Sequence, residues 1–208
     1  MPIELDHLVY AGPDLGALVA EVHAGTGVAP RPGGSHEGRG TANVLLGLGR
    51  GRYLELLGPD PDQGEPDRPR PLRVDQVTAP TMVGWAVRTP GIEHLVDSAR
   101  ADGYDPGPVA PMSRRTPEGE LLSWRLTPPE GGFGGAVPFL IDWQESPHPS
   151  ERLPEVGLRE VVIAHPQVSD VGTALTAVGA FDLVRLESAD SFRMSIVLET
   201  PNGLVTFG

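Results

Sequence analysis

The chain has 208 residues, with 16 basic and 28 acidic side chains, which gives a formal net charge of −12. This length allows one large domain or two small ones, and the charge has the wrong sign for a protein that binds nucleic acid through its phosphates. Since cysteine is absent, disulfides and thiolate metal ligands are excluded, and any metal must be bound by His, Asp or Glu. We found no signal-peptide pattern and no apolar run long enough to span a bilayer, so we expect a cytoplasmic protein without a membrane partner.

A pattern of strand, turn, helix and glycine occurs three times along the chain. The predicted strands over residues 3–10, 82–87 and 158–164 are each followed by apolar residues at helical spacing. Extended segments rich in β-branched and aromatic residues follow each helix, at 43–48, 52–57, 121–126, 137–143, 183–186, 192–198 and 204–207. One helix followed by several strands is typical of an α+β fold, so we predict repeated βαβββ modules. The alternative is an ordinary mixed fold in which the repeats are coincidental.

Two proline-rich segments separate these modules. Residues 58–71 and 145–154 cannot form a regular helix or sheet ladder, because proline lacks the backbone donor and fixes φ. We therefore predict that modules over 1–60 and 80–145 pair within a domain of residues 1–145, and that residues 155–208 form a third, partial module. We predict His148, in the second segment, to be a solvated loop residue.

The first module carries a family resemblance. Its opening Leu5-Asp6-His7-Leu8-Val9, its His-x-Gly-x-Gly-Thr-x-Asn stretch over residues 36–43 and its Tyr-Leu-Glu-Leu strand over 53–56 resemble a glyoxalase-like domain of the vicinal oxygen chelate superfamily. Residues 84–89 and 138–143 resemble the matching strands of the second module. The resemblance implies that two βαβββ modules pair into a half-open curved sheet or barrel around a small-molecule cavity. It also implies a divalent metal that chelates vicinal oxygens of the substrate.

Carried over residue by residue, the resemblance gives His7 and Glu55 as catalytic residues and metal ligands. With His36 or Asp142 as a third ligand they would form a facial site with open positions, and the alternative is that no metal site forms. These residue types suit Zn, Ni, Mn or Fe. A structural role is the alternative, since His7 shares its strand face with apolar residues and is equally suited to a hydrogen-bonded core position. Glu55 lies between Leu54 and Leu56, where a carboxylate needs a partner or a raised pKa.

The second module departs from the ligand pattern. Gly84 aligns with His7, and Ile141 aligns with Glu55, or Asp142 does if the strand slips by one residue. Glycine and isoleucine cannot bind a metal, so the complete four-ligand set is missing.

Six residues are predicted to bind substrate. We hypothesise that one of the arginines Arg114, Arg115 and Arg125 points into the cavity and makes a bidentate contact with a substrate carboxylate. We favour Arg125, for which a surface position is the alternative. The six residues are His36, Thr41, Asn43, Trp85, Arg125 and Trp143.

Three functions are consistent with the sequence. The first is a metal-assisted lyase, isomerase or dioxygenase that acts on a small oxygenated metabolite. The second is a metal-free binding or resistance protein that uses the same cavity, and the third is a degenerate scaffold. Because related modules pair either within a chain or between chains, we also predict a homodimer.

Overall fold

The computed structural model describes residues 3–116 and 119–208 and confirms an α+β fold built from three βαβββ element sequences. Each helix begins three or four residues after the end of a strand, and three strands follow it. The elements are β1 (Glu4–Ala11), α1 (Leu15–Thr26), β2 (Arg31–His36), β3 (Thr41–Gly47), β4 (Tyr53–Pro59), β5 (Thr81–Arg88), α2 (Ile92–Ala101), β6 (Ala110–Arg115), β7 (Leu121–Leu126), β8 (Phe139–Asp142), β9 (Gly157–His165), α3 (Val168–Ala177), β10 (Arg185–Ser188), β11 (Arg193–Thr200) and β12 (Gly203–Phe207).

The first two modules form a closed eight-stranded barrel with the order β1-β4-β3-β2-β6-β7-β8-β5. In each module the last strand is the parallel neighbour of the first, and the modules join through the antiparallel pair β1 and β5. On the opposite side β2 and β6 are joined through one residue pair, Ser35 with Arg115. The predicted pairing of modules is confirmed, and it takes place within one chain, so a second copy is not needed to complete the barrel. The homodimer stays a prediction.

Side chains alternate between the inside and the outside of the barrel, as the pleat of a strand requires. On β1, Leu8 and Tyr10 belong to the main core under the helices, whereas Val9 and Ala11 face an interior cluster. A register shift between Leu5 and His7 in the pairing with β5 interrupts this alternation. Such a bulge re-aims the side chains next to it, and here it affects the two residues that later prove central to the site.

The third module repeats the order of elements but not the pairing of strands. Its sheet has the order β10-β9-β11-β12, in which β9 lies parallel to β10 and antiparallel to β11. In the barrel modules the first strand is instead the parallel neighbour of the last. The apolar spacing that revealed a third copy therefore predicted a strand-helix-strand unit without determining which strands pair.

Strands β2 and β6 were not predicted from the sequence. The β2 sequence is Arg-Pro-Gly-Gly-Ser-His and that of β6 is Ala-Pro-Met-Ser-Arg-Arg, compositions that have low strand propensity. Their neighbours β3 and β7 hold them in the sheet through backbone pairing. None of the helices in the described ranges has the length and apolar character needed to cross a membrane.

The four-stranded sheet of the third module packs against helix α1. The Phe207 ring lies 5.5 Å from the ring of Tyr10, and a Cβ placed on Gly25 would be 3.1 Å from the Phe207 ring, so the helix can approach closely only at a glycine. The side-chain amide of Asn202 donates to the carbonyls of Ala24 and Gly25 at the end of the same helix. The domain boundary near residue 150 stays a prediction, which these contacts allow to be tested.

We expect Phe207→Ala to lower the free energy of unfolding by roughly 3–5 kcal/mol, because it removes a buried aromatic ring between the sheet of the third module and α1. Urea unfolding followed by tryptophan fluorescence measures this, since Trp85, Trp124 and Trp143 all lie in the first two modules. Leu204→Ala, on the same strand but exposed, is the control and should change stability by less than about 0.5 kcal/mol. A fluorescence transition that Phe207→Ala leaves unchanged would show that the third module folds independently.

Candidate functional site

The barrel encloses a cavity of about 50 Å³ whose two halves differ in chemistry. The first module supplies polar side chains, and the second supplies mainly apolar ones. The polar residues are His7, His36, Asn43 and Glu55, joined by Arg114 from β6, and the apolar ones include Met112, Trp124, Leu126, Phe139 and Ile141, with Leu72 from the segment between the modules. A cavity of this size holds one or two water molecules.

Asp6 is fully buried and orients the imidazole of His7. Its Oδ1 lies 2.6 Å from Nδ1 of His7, and its Oδ2 accepts hydrogen bonds from Nε1 of Trp143 at 3.0 Å and from Nε2 of His148 at 2.9 Å. Burial alone would raise the pKa of Asp6, but the hydrogen bonds and charges of His148 and His7 together hold it well below its ordinary value. An ionised carboxylate only accepts, so Nδ1 of His7 carries a proton and the opposite nitrogen, Nε2, faces the cavity.

Glu55 lies at the centre of the polar half. Its Oε1 accepts a hydrogen bond from the amide of Asn43 at 2.7 Å, and its Oε2 lies 3.6 Å from Nε2 of His7. Nε2 of His36 lies 3.9 Å from Oε1. Two imidazoles therefore converge on one carboxylate, of which Asn43 fixes the orientation.

His36 is neutral at physiological pH. Burial lowers its pKa, and the positive charges of Arg114 and Arg39 act in the same direction, against the opposing charge of Glu55. Its Nδ1 lies 3.0 Å from the hydroxyl of Thr41. Thr41 thus fixes the ring of His36, as Asp6 fixes that of His7.

Four of the predicted site residues line the cavity, namely His7, His36, Asn43 and Glu55. A fifth, Thr41, lies behind His36. Three other predicted residues lie elsewhere. Trp85 is fully buried in the main core, where its Nε1 donates to the carbonyl of Ala136. Arg125 forms an ion pair with Glu93 on the outside of the barrel. Trp143 belongs to a second interior cluster, with Trp124 and Phe139 next to the cavity, and donates to Asp6.

Of the three candidate arginines, the sequence analysis favoured Arg125, but the one that lines the cavity is Arg114. On β7 the buried residues alternate as Leu122, Trp124 and Leu126, so Arg125 is out of phase with them and faces outward. The cavity arginine is Arg114, on β6, which is 5% exposed. The alternation in β7 was the signal that could have excluded Arg125.

His148 is the second residue that sequence reasoning misplaced. The prediction of a solvated loop residue was wrong, because its side chain is largely buried against Asp6 and near the rings of Tyr53 and Trp143. No local sequence pattern predicts this contact, since Asp6 and His148 are 142 positions apart in the chain.

Of the two residues that could align with Glu55, the structure places Ile141 and not Asp142 at the cavity. Ile141 lines the cavity, whereas the carboxylate of Asp142 accepts from the backbone N–H groups of Gly91 and Gln144 outside it. Gly84 leaves space that Leu72 fills, since a Cβ at this glycine would lie 3.0 Å from the Leu72 side chain. The second module therefore offers no side chain at these two positions that could bind a metal.

In residues 3–116 and 119–208, no group of three or more His, Asp and Glu side chains is arranged as a ready metal site. The kinds of donor nevertheless fit a divalent ion: two imidazole nitrogens and a carboxylate. Two ligands of one tetrahedral zinc are about 3.4 Å apart for bonds of roughly 2.1 Å. The distances from Glu55 to His7 and His36, 3.6 and 3.9 Å, exceed that separation slightly.

The sequence model of the glyoxalase-like domain family matches residues 5–179 of this chain. The chain therefore belongs to the glyoxalase-like domain family, within the vicinal oxygen chelate superfamily. The match extends through the first strand and helix of the third module, beyond residue 145, where the resemblance seen in the sequence weakened. A comparison with curated proteins gave no significant match.

Among solved structures, a hypothetical protein from Staphylococcus aureus is similar to this chain with a TM-score of 0.63 at 17% identity, over 99% of this chain and 84% of that one. A methylmalonyl-CoA epimerase from Mycobacterium tuberculosis has a TM-score of 0.45 at 18% identity, over 66% of this chain and 86% of its own. A hypothetical protein from Bacillus halodurans has a TM-score of 0.48 at 14% identity, over 71% of this chain and 99% of its own. At such identities only the fold of the Staphylococcus protein is informative, and its similarity covers the third module as well as the barrel.

The buried Asp6 predicts a specific acid sensitivity. Because its pKa is lower in the folded than in the unfolded chain, its contribution to stability is present above its ordinary pKa of 3.8 and is lost as the pH falls below that value. We expect the free energy of unfolding of Asp6→Asn to depend less steeply on pH in this acid range, while its stability at neutral pH is lower than that of the wild type. Urea unfolding from about pH 7 down to about pH 2.5 measures both effects.

Asp190→Asn, at an exposed position, is the matched control and should keep the acid dependence of the wild type. Equal slopes for Asp6→Asn and the wild type would contradict the proposed ionisation of Asp6.

Proposed function

We propose that the protein is an enzyme of the vicinal oxygen chelate superfamily that acts on a small oxygenated molecule by metal-assisted lyase, isomerase or dioxygenase chemistry. The observation that carries this proposal is the convergence of His7 and His36 on the buried carboxylate of Glu55. Buried titratable groups that converge in a cavity are typical of functional sites.

His7, His36 and Glu55 would hold the divalent ion. The arrangement of Asp6 supports this assignment, because a metal-binding histidine commonly donates its other ring N–H to a carboxylate. Asn43 acts in the same way on Glu55, since it binds one carboxylate oxygen and leaves the other facing His7. When bound, the ion supplies Lewis-acid polarisation of a substrate oxygen.

The protein's own residues orient the substrate and move its protons. Glu55, with its Oε2 facing the cavity, is the candidate general base. The neutral His36 adds no positive charge beside the ion at neutral pH. The apolar second half, with Trp124 and Phe139, excludes water from the reacting group and strengthens the electrostatic interactions in the polar half.

Metal analysis tests this proposal. Untagged protein purified without chelators and reconstituted with Zn, Ni, Mn or Fe(II) is expected to hold about one ion per chain. We expect His7→Ala and Glu55→Gln to lose the ion, because each removes one of only three protein donors. Elemental analysis of the desalted protein measures the stoichiometry, independently of any assay of activity.

Two variants complete this experiment. His94→Ala removes an exposed histidine of α2 and should leave the metal content unchanged. Asp6→Asn should weaken metal binding by about 10- to 100-fold without abolishing it, since it removes the group that orients His7. Metal that persists in both His7→Ala and Glu55→Gln would show that the ion binds elsewhere.

The composition of the second half favours one alternative, a metal-free protein that binds a small molecule in the same cavity. Trp124, Leu126, Phe139 and Ile141 form an apolar wall of the kind that holds apolar parts of ligands. A wild-type protein that takes up none of the four metals after reconstitution, and whose fold is unchanged, would favour this alternative over the enzyme.

A further inference from the structure

A surface groove lies next to the cavity, along the seam where β2 meets β6. We call it the seam groove; it has a volume of about 580 Å³. It is lined by Arg31, Pro32, Gly33, Leu45, Arg114, Thr116, Glu120, Leu122, Pro147, His148, Pro149, Glu151, Arg152 and Leu153. Its volume is in the range of small-molecule binding sites, whereas that of the cavity is not.

Arg114 connects the seam groove to the cavity, since among the described residues it alone lines both. It is 5% exposed, and its guanidinium donates to the backbone carbonyl of Gly33. In residues 3–116 and 119–208 no carboxylate lies within ion-pair distance of it, whereas Arg115 pairs with Glu37 and Arg125 pairs with Glu93. A buried cation that lacks a carboxylate partner is costly to the fold.

The seam itself is shaped by two glycines. A Cβ on Gly33 would lie 2.3 Å from Oδ1 of Asn43, and a Cβ on Gly34 would lie 2.1 Å from the carbonyl oxygen of Arg115. No side chain can therefore stand at these positions between the seam groove and the cavity. Oδ1 of Asn43, at this place, is buried and has no hydrogen-bond donor in the described part of the chain.

Further positive charge lies at the rim of the seam groove. Arg31 and Arg152 are exposed there, and His148 lines the groove as well. Glu120 and Glu151 are the acidic side chains of the lining, and like Arg31 and Arg152 they are exposed, so solvent screens all four charges. Three arginines against two glutamates give the groove lining a formal charge of +1 in a chain with a net charge of −12, so anions are repelled less here than over the rest of the surface.

We propose that the seam groove binds the anionic end of the substrate, a carboxylate or a phosphate, and that Arg114 contacts this group. The part of the substrate next to Arg114 then enters the cavity, where Oδ1 of Asn43 accepts from a substrate hydroxyl and Glu55 faces the reacting carbon. The last step rests on the proposed enzymatic function, but anion binding by the seam groove does not.

The volumes of the two spaces support this division. The cavity of about 50 Å³ accommodates only the reacting group of a substrate, and the seam groove of about 580 Å³ accommodates the remainder. A guanidinium binds a carboxylate or a phosphate through two parallel hydrogen bonds, which would supply Arg114 with the charged partner that it lacks.

Isothermal titration calorimetry with malonate, inorganic phosphate and uncharged malonamide tests the proposal on metal-depleted full-length protein. We expect malonate or phosphate to bind and malonamide not to bind. Arg114→Gln should weaken anion binding by about tenfold or more, because a hydrogen bond to a charged group is lost. The double variant Arg31→Ala with Arg152→Ala should weaken it by several fold, since both residues are exposed and partly screened. The anion that binds with the lower dissociation constant shows whether the anionic end of the substrate is a carboxylate or a phosphate.

Arg193→Ala, an exposed arginine on β11, is the matched control and should bind the anions as the wild type does. Equal affinity of malonamide and malonate, or anion affinities that survive both Arg114→Gln and the double variant, would overturn the proposal. Glu55→Gln separates this proposal from that of the enzyme, because it should lose metal but still bind the anion. Metal uptake without anion binding would refute the seam groove alone, and the reverse result would refute the metal site alone.

Discussion

The buried carboxylate of Asp6 is the interaction on which the site depends. An ionised group without solvent is stable only if strong donors surround it, and Asp6 has three, from His7, Trp143 and His148. These residues belong to the first strand, to the end of the last barrel strand and to the segment that leads to the third module. One carboxylate thereby connects three distant parts of the chain. The same contact fixes the ring of His7, so the stability of the barrel and the geometry of the cavity have a common cause.

The two halves of the barrel share a topology but have different chemistry. Where the first half has His7 and Glu55, the second has Gly84 and Ile141, and Leu72 fills the space that the glycine leaves. Polar groups on one wall can act on a bound molecule, while apolar groups on the other exclude water and strengthen these electrostatic interactions. The asymmetry is therefore compatible with a single reaction centre in one half, with the other half as the surface against which the substrate packs.

The sequence predicted those parts of the structure that depend on local patterns. Apolar spacing identified the helices and most strands, and the repeated pattern identified the modules. It could not identify β2, because Pro and Gly in Arg31–His36 remove the strand signal and only pairing with β3 holds the segment in the sheet. Nor could it place Asp6, since strict alternation puts neighbouring side chains on opposite faces, and the bulge after Leu5 allows Asp6 and His7 to meet. His148 depends on a contact across most of the chain, for which no local pattern exists.

The backbone next to the cavity bears on how a ligand reaches it. Leu72 and Arg73 both have left-handed backbone conformations, with φ of 55° and 56°, which cost about 1–3 kcal/mol each for residues other than glycine. The guanidinium of Arg73 holds the segment in place by donating to the carbonyl of Gly134 at 2.7 Å. Displacing Leu72 would expose an apolar side chain that is only 4% accessible. The seam between β2 and β6 is joined by one residue pair and by the hydrogen bond from Arg114 to Gly33. In the binding mode that we propose, a ligand meets Arg114 at this seam before it meets Glu55.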